Sequence, residues 1–221
     1  MMDKLVWVIS RLESHYGEVR NRPDGDIIGQ LVRTILSQNT NDTNRDRAYA
    51  SLCNRFPSWE DVLLARPEEL AAAIRVGGLA NIKSSRIIQI LQTIQKQNGV
   101  LNLDSLSRLS TEEATNYLLH FNGVGLKTAY CVLLFGLGLP VFPVDTHIMR
   151  VVRRLGLIPR KISSEKAHQI LNQHVPHEKM YSLHVHLIRL GRELCHPRSP
   201  QHDACPLTPV CEEYKEVHEN A

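Results

Sequence analysis

The sequence predicts an all-α protein, and three observations support this fold class. Apolar residues recur at helical spacing along most of the 221-residue chain, as over Asp26–Leu36, where residues 27, 28, 31, 32 and 35 are apolar. No segment shows the strict apolar and polar alternation that is typical of a half-buried strand. A hydrophobic content of 43% with 22% charged residues is ordinary for a globular protein that buries a substantial core.

Helical periodicity and local start signals together predict eleven helices. Ser110 is a typical N-cap before Thr111, and Pro67 followed by two acidic residues is typical of a first helical turn. The predicted helices are Asp3–His15, Asp26–Leu36, Asn44–Arg55, Ser58–Ala65, Pro67–Arg75, Lys83–Gln97, Ser110–His120, Leu126–Phe135, Thr146–Leu155, Ser164–Val175 and Met180–Leu194.

Two Pro- and Gly-containing stretches are the best places for the chain to pass between lobes. They are RNRPDGD near residue 23 and GLGLPVFP near residue 140. Cys53 and Cys131 fall within helical patterns, and we expect both to be inert core residues.

The positive charge is concentrated in one part of the chain. The whole protein carries a formal charge of +3, but residues 117–161 contain six basic residues against Asp145 alone. A basic segment of this kind suits a polyanion such as nucleic acid, and a solvated basic helix face explains it equally well. Aromatic residues make up only 5% of the chain, which argues against base stacking as the main binding mode.

We expect a cytoplasmic location without a membrane span. The N-terminal MMDKLVWVISRLES lacks both the long apolar core and the small-residue cleavage site of a signal peptide. Residues 129–144 are uncharged but short, and they are interrupted by glycines and prolines. A buried helix and its exit loop account for this segment better than a membrane span does.

The segment NGVGLKTA, residues 122–129, joins two predicted helices through a Gly-Val-Gly turn. Such a turn can bind a phosphate through its backbone N–H groups, or it can simply be tight. Lys127 follows in an apolar setting, where an amine can act as a nucleophile; most lysines are merely exposed. Asp145 precedes Thr146 and is an expected helix N-cap that could also accept a proton or stabilise a cation.

These motifs resemble the endonuclease III family of helix-hairpin-helix-Gly/Pro/Asp DNA glycosylases. The resemblance rests on GVGLKTA and PVDTHIMRV, on ILSQNTNDTNRDRA at residues 35–48, on VGGLANIKSSRI at residues 76–87, and on the C-terminal cysteines. It covers nearly the whole chain. It implies a six-helix lobe over residues 25–138 and a discontinuous lobe over residues 1–24 and 139–221, with a DNA-binding cleft between them.

The resemblance also implies roles for single residues. Lys127 matches the lysine that attacks C1′ of the damaged nucleotide, and Asp145 matches the catalytic aspartate. The damaged base must be flipped out of the duplex, and the gap that it leaves must be filled. Leu79 matches the family's apolar wedge, and Asn39 matches a position that fills this gap, with Gln38 as the adjacent candidate. The remaining matches are the phosphate-binding hairpin Gly123, Val124 and Gly125, the pocket-lining His147, and Asp42 at the mouth of the pocket.

A lysine at position 127 implies a bifunctional enzyme that excises a base through a Schiff base and then nicks the strand by β-elimination. Its expected partner is double-stranded DNA with a damaged base, an oxidised pyrimidine by family resemblance, or an abasic site. We expect a monomer associated with the nucleoid. Asn122 departs from the family, which usually has proline there. The alternatives are a monofunctional uracil or thymine-mismatch glycosylase and a non-catalytic DNA-binding or redox-sensing protein.

The C-terminal cysteines fit the spacing of the family's [4Fe–4S] cluster with one substitution. Cys195, Cys205 and Cys211 stand at three of the four ligand positions, and His202 stands at the second. We expect a [4Fe–4S] cluster with one imidazole ligand. The alternatives are a Cys3His zinc site, and a lobe that is metal-free or holds a cluster that readily loses one iron. Arg198, between the first two ligand positions, is either a phosphate contact or a solvated arginine.

Overall fold

The structure, a computed structural model, describes residues 2–219 and contains helices, turns and loops but no strand in that range, which confirms the all-α prediction. Its α-helices are α1 (Met2–Tyr16), α2 (Ile27–Leu36), α3 (Asp42–Arg55), α4 (Trp59–Leu64), α5 (Pro67–Ala73), α6 (Ala80–Asn98), α7 (Thr111–Leu119), α8 (Leu126–Cys131), α9 (Thr146–Arg154), α10 (Ser164–His174), α11 (Met180–Glu193) and α12 (Glu212–Glu219). Short 3-10 turns occupy Arg75–Gly77, Asp104–Arg108, His177–Lys179 and Thr208–Val210. Within the described range, no helix is both long and apolar enough to cross a membrane.

The described residues divide into two compact units. Unit 1 contains residues 2–22 and 138–219, and therefore α1 and α9–α12. Unit 2 is Pro23–Leu137 and contains α2–α8. Lys127 therefore belongs to unit 2 and Asp145 to unit 1.

Helix α2 lies at the centre of unit 2, where it packs against α3, α6, α8 and the π-helical turn Val132–Gly136. Eight of its ten residues are buried, and Leu31, Ile35 and Leu36 have no exposed surface. Burial of each such side chain contributes about 1.5–3 kcal/mol, so this helix anchors the unit.

Capping interactions define the helix starts in unit 2. Oδ1 of Asp26 accepts hydrogen bonds from Gly29 N at 2.7 Å and from the Trp59 indole at 3.2 Å. Position 29 requires glycine because a Cβ there would overlap the Asp26 carboxylate. Ser110 and Glu113 form a reciprocal capping box at the start of α7, as the sequence predicts for Ser110.

Several predicted helix ends are wrong by a few residues. Helix α6 begins at Ala80 rather than at Lys83, because the left-handed backbone of Leu79 sets its first turn. Helix α5 ends at Ala73, and the predicted Leu126–Phe135 helix changes to π-helical turns after Cys131. Apolar periodicity does not reveal such changes in the hydrogen-bond register.

Other differences concern α3, α12 and Cys53. Helix α3 begins at Asp42 rather than at Asn44, because the Asn41 side chain caps it by accepting a hydrogen bond from Asn44 N at 2.8 Å. Helix α12 was not predicted, since this short polar segment has no apolar stripe. Cys131 is buried as expected, whereas Cys53 is only half-buried and lies next to Tyr49 rather than in the core.

Unit 1 has its own core around α11, which packs against α9 and α1. Helix α11 buries Leu183, Leu187 and Leu190, and α1 buries its apolar stripe against it. The residues of that stripe are Leu5, Val8, Ile9 and Leu12. This core fixes α9, whose N-cap is Asp145.

Candidate functional site

The predicted hairpin is a tight turn between α7 and α8. Val124 N donates to Phe121 O at 3.1 Å, and the Val124 side chain is buried, while Gly123 and Gly125 are exposed. Gly123 has a φ of 78°, and a Cβ there would also overlap the guanidinium of Arg86. The turn thus presents backbone at the surface while its valine anchors it in unit 2.

Lys127 lies in the first turn of α8, two residues after Gly125, and is half-buried. The residues that follow it are core: Ala129, Val132 and Leu133 have no exposed surface. The first part of the uncharged run after the lysine, up to Leu137, is therefore a largely buried element of unit 2, as the sequence predicts, and Lys127 lies at its edge.

Asp145 is the N-cap of α9. Its Oδ1 accepts a hydrogen bond from Ile148 N at 2.8 Å, and its own backbone is extended. The side chain is half-buried. The capping interpretation of Asp145 is confirmed, and it fixes the carboxylate at the positive end of a helix.

Two buried histidines hold the backbone that leads into Asp145, and sequence reasoning missed both. Val144 N donates to His168 Nε2 at 3.0 Å, and the His168 Nδ1 contacts Ser164 O at 2.8 Å. His184 Nδ1 contacts Pro143 O at 2.9 Å. Since Nε2 of His168 accepts, its ring proton is on Nδ1, which donates to the carbonyl. A histidine within the apolar face of a predicted helix was the available signal.

His147 is fixed by Arg150, one turn later on α9. Nη2 of Arg150 lies 3.1 Å from His147 Nδ1 and donates to Gly191 O at 2.7 Å. Its Nε donates to Cys195 O at 2.8 Å. Arg150 therefore joins the residue two positions after Asp145 to the first of the C-terminal cysteines. Gly191 is required here because a Cβ would lie 2.9 Å from that of His147.

Three arginines of the basic segment, Arg150, Arg153 and Arg154, bond to groups of the protein itself. Besides Arg150, Arg153 donates to Ile162 O at 2.8 Å, and both are half-buried. Arg154 donates to His196 O and Pro197 O at 2.7 and 3.0 Å and pairs with Glu213 at 2.8 Å. The expectation of a solvated basic helix face is wrong at these three arginines, because each donates a hydrogen bond to a carbonyl group of unit 1.

In the loop after α2, Gln38 contacts other residues of the protein, whereas Asn39 is exposed. Gln38 accepts from Arg86 Nη1 at 2.7 Å and contacts Thr128 Oγ1 at 3.4 Å and Gly123 O at 3.5 Å, so it is bound to the hairpin. Asn39 is exposed, with a φ of 52°.

The other candidates on loops and on the first turn of α3 lie at the surface. Asp42, in the first turn of α3, accepts a hydrogen bond from Arg45 at 3.0 Å. Leu79 is the N-cap of α6 and also has a positive φ, of 49°. It is 49% exposed, and Ile82 nearby is 57% exposed. This end of α6 thus presents apolar side chains at the protein surface.

All four predicted metal ligands line one cavity in unit 1. The cavity is bounded by Cys195, His202, Cys205 and Cys211, with apolar walls from Val151, Leu155, Leu190, Leu194 and Leu207. Within residues 2–219 no group of three His, Cys, Asp or Glu side chains is arranged to hold a metal ion. The structure therefore brings the predicted ligands to one place without a formed coordination site.

The cavity has the chemistry of a soft-metal site. Burial raises the pKa values of Cys205 and Cys211, and neighbouring thiols add to both shifts. A bound cation would reverse these shifts by stabilising thiolates. Arg154 Nη1 donates to Cys195 Sγ at 3.3 Å. The residues present thus fit a thiolate-ligated metal or cluster. Arg198 is exposed on the adjoining loop.

His202 is held on two sides. Its ring packs edge-to-face on Tyr214 with centroids 5.0 Å apart, and its carbonyl oxygen accepts from Cys205 N at 3.1 Å and from Thr208 Oγ1 at 2.5 Å. The turn that follows His202 therefore fixes its position relative to Cys205.

A Gly-x-Gly hairpin, a following lysine and a helix-capping aspartate in an all-helical chain define a helix-hairpin-helix protein of the DNA-repair class. In agreement, residues 32–177 match the sequence pattern of the HhH-GPD superfamily of base excision DNA repair proteins. The match covers more than half of the chain.

Proteins with similar sequences support the same superfamily assignment. Endonuclease III of Thermotoga maritima is 31% identical over 196 residues, which are 89% of this chain and 87% of the relative. A candidate DNA glycosylase of Arabidopsis thaliana is 42% identical over 166 residues, which are 75% of this chain and 57% of the relative. DNA glycosylase/AP lyase ROS1 of the same plant is 28% identical over 180 residues, covering 74% of this chain and 13% of ROS1.

Solved structures are similar over the whole chain. A non-covalent endonuclease III–DNA complex has a TM-score of 0.83 at 25% identity and covers 99% of both chains. A trapped covalent endonuclease III–DNA intermediate has a TM-score of 0.82 at the same identity and coverage. The chain belongs to the HhH-GPD superfamily and, within it, to the endonuclease III family of DNA glycosylases.

Proposed function

We propose that the protein excises damaged bases from double-stranded DNA and then cuts the strand at the abasic site, as a DNA glycosylase with AP lyase activity. The observation that carries the proposal is Lys127 on α8, directly after the exposed Gly123–Gly125 turn, in a chain of the endonuclease III family. A relative is named a DNA glycosylase/AP lyase, and a similar solved structure is a covalent protein–DNA intermediate. Both support a reaction in which a group of the protein bonds covalently to DNA, and we assign that group to Lys127.

In the first step the Lys127 amine attacks C1′ of the damaged nucleotide. The amine must first lose a proton, and the Asp145 carboxylate is our candidate acceptor. A bond forms between Nζ and C1′ while the bond from C1′ to the base breaks. The base leaves with that electron pair and takes up a proton. The hydrogen bond from Ile148 N keeps the carboxylate oriented during this step.

In the second step the sugar ring opens to give an iminium between Nζ and C1′. A proton leaves C2′, and the electron pair of that C–H bond expels the phosphate oxygen from C3′, which cuts the strand. Water then hydrolyses the iminium and restores the Lys127 amine. This sequence needs no oxidant or reductant.

The damaged nucleotide must leave the base stack before Lys127 can reach C1′. We assign the wedge to Leu79 and the gap-filling contact to Asn39, because both are exposed on loops of unit 2. The Gly123–Gly125 turn would bind a phosphate through its exposed backbone. His147 would line the pocket of the flipped nucleotide, in the orientation that Arg150 fixes.

We further propose that Cys195, His202, Cys205 and Cys211 hold a [4Fe–4S] cluster, with a Cys3His zinc site as the alternative. The support is that all four side chains line one cavity with apolar walls, and that three of them are thiols, which are soft-metal ligands. Such a group would supply a redox-active or structural centre. Cys195 lies on the segment to which Arg150 and Arg154 donate hydrogen bonds, so the group would stabilise α9 from its C-terminal side.

Borohydride trapping tests the proposed reaction, because borohydride reduces the iminium to a stable adduct. Duplex DNA with one abasic site should give a covalent adduct with the wild-type protein and none with Lys127→Ala. Lys161→Ala, which removes an exposed lysine, is the matched control and should trap normally. Excision without an adduct would indicate a monofunctional glycosylase, and DNA binding without either would indicate a non-catalytic protein. Parallel duplexes with an oxidised pyrimidine, uracil or a G·T mismatch identify the substrate.

A further inference from the structure

Lys83 is a buried lysine that the proposed reaction does not use. Its side chain is 1% exposed, and its Nζ donates to Leu36 O at 2.7 Å and to Gly77 O at 2.8 Å. Burial, aided by the charge of Arg86, lowers its pKa. Placing an ammonium in a core is costly unless it makes strong bonds. The two bonds therefore indicate which parts of the backbone this group holds.

The two carbonyl groups end two different helical segments, and each segment is followed directly by a loop. Leu36 ends α2, three residues before Asn39, and Gly77 lies two residues before Leu79. Asn39 and Leu79 are the two non-glycine residues with a positive φ among residues 2–219. A left-handed backbone costs about 1–2 kcal/mol per residue and persists only where the surrounding structure holds it. One ammonium thus bonds to the backbone three residues before Asn39 and two residues before Leu79.

Arg86, one turn further along α6, extends the same arrangement. Its Nη1 donates to Gln38 Oε1 at 2.7 Å, and its guanidinium occupies the space beside Gly123. Helix α6 therefore carries two cations that reach the loop of Asn39, one through the backbone at Leu36 and one through Gln38. The loop of Leu79 depends on Lys83 and on its connection to α6.

We propose that Lys83 is a positioning residue that sets the spacing between Asn39 and Leu79 so that both enter the distorted DNA duplex together. This inference rests on the proposed function, which assigns these two residues to the DNA. Side chains that fill one gap in a base stack also position the flipped nucleotide, and a misplacement of about 1 Å far from the reacting atoms can reduce the rate about a hundredfold. A single cation bonded to both loops provides that restraint, and loosening one loop frees the other.

The test compares Lys83→Met with Leu91→Ala. Met removes the donors but keeps much of the volume, whereas Leu91 is a buried core residue two turns along the same helix and serves as a control for lost stability. Duplex distortion is read from 2-aminopurine fluorescence opposite an uncleavable tetrahydrofuran abasic analogue. Lyase activity is read separately on a single-stranded abasic oligonucleotide, which needs no wedge.

For Lys83→Met we expect duplex distortion and single-turnover excision to fall by at least about tenfold, with single-strand lyase activity within about threefold of wild type. Leu91→Ala, assayed below its melting temperature, should retain all three. Equal losses in both variants, or unchanged distortion in Lys83→Met, would overturn the proposal. Distortion without any borohydride adduct in the wild-type protein would refute the proposed reaction while leaving the role of Lys83 standing.

Hydrogen exchange of the wild-type protein tests the same proposal if Lys83→Met does not fold. Each loop contains one amide that reports its opening. In the first loop Gln38 N donates to Ile35 O, and in the second Gly78 N donates to Arg75 O. If one ammonium couples the loops, these amides open together, with protection factors within about threefold of each other at every denaturant concentration. Independent opening of the two amides would contradict the coupling.

Discussion

Asn39 and Leu79 share a left-handed backbone conformation, with φ values of 52° and 49°, in two separate loops of unit 2. Every other residue with a positive φ in the described part of the chain is a glycine. Both residues are exposed, so neither gains core packing in return for its strain. Asparagine adopts this conformation more readily than other non-glycine residues, so the steric cost falls mainly on Leu79, and strained residues of this kind cluster at binding and catalytic sites.

Replacing Leu79 separates strain from function. Leu79→Gly should leave the melting temperature unchanged or raise the stability by up to about 1 kcal/mol, because glycine adopts a positive φ without steric cost. Base excision should nevertheless fall at least about tenfold, since the wedge is lost. Leu79→Ala, which keeps the strain, should lose excision without any gain in stability. Normal excision by Leu79→Gly would remove Leu79 from the proposed mechanism.

Arg150 should act on stability rather than on DNA affinity. Arg150→Met removes the donors to Cys195 O and Gly191 O and should lower the free energy of unfolding by about 2–4 kcal/mol. The slope of the DNA dissociation constant against salt should not change, because this guanidinium bonds to protein carbonyls rather than to phosphates. Urea denaturation and binding at several salt concentrations measure the two effects. A smaller salt slope with unchanged stability would restore the DNA-facing interpretation.

Variants of His202 test which metal the proposed site in unit 1 holds. The purified protein should show the broad visible absorption of an iron–sulfur cluster and contain iron rather than zinc. His202→Cys should keep the iron and lower the cluster's reduction potential, because a thiolate adds negative charge where imidazole adds none. His202→Ala should lose iron. Stoichiometric zinc without visible absorption would establish the Cys3His zinc site instead, and a protein without either metal would refute both.

His186 should make the stability depend on pH. It is buried on α11, its Nε2 has no hydrogen-bond partner within residues 2–219, and burial lowers its pKa below 6.5, opposed by the Gly17 backbone and Glu13. Between the folded pKa and 6.5 the unfolded chain binds the proton more readily. Stability should therefore fall as the pH drops through this window, by at most about 1.4 kcal/mol per pH unit.

Denaturation between about pH 5 and about pH 8 measures this dependence. His186→Phe should make the stability profile flatter, whereas His177→Gln, at an exposed position, should not change it. An identical profile for His186→Phe would assign the pH dependence to another group.

Much of the fold and the candidate site follows from residues that are close together in the chain. The capping of α7 by Ser110 and of α9 by Asp145 is predictable because an N-cap bonds to a residue three positions away. The Gly123 turn and the start of α8 at Leu126 are predictable for the same reason. The resemblance to the family's ligand spacing likewise implied a common site for Cys195, Cys205 and Cys211.

The predictions failed where distant residues decide the outcome. The sequence shows a basic helix face at Arg150, Arg153 and Arg154, but the carbonyls that bind Arg150 lie 41 and 45 positions further along. The bond between Lys83 and Leu36 O spans 47 positions and gives no local signal.

The amino-acid sequence by itself determined the helical fold class, the hairpin with its lysine, the capping aspartate and the family. Only the tertiary structure decided that three arginines bond to carbonyl groups of unit 1 and that two histidines hold the backbone before Asp145. It alone also decided that one buried ammonium bonds to the segments that precede Asn39 and Leu79. The physical reason is the distance along the chain between the groups that interact. Helix formation and capping depend on neighbours within about one turn, whereas buried hydrogen bonds depend on backbone groups that only folding brings together.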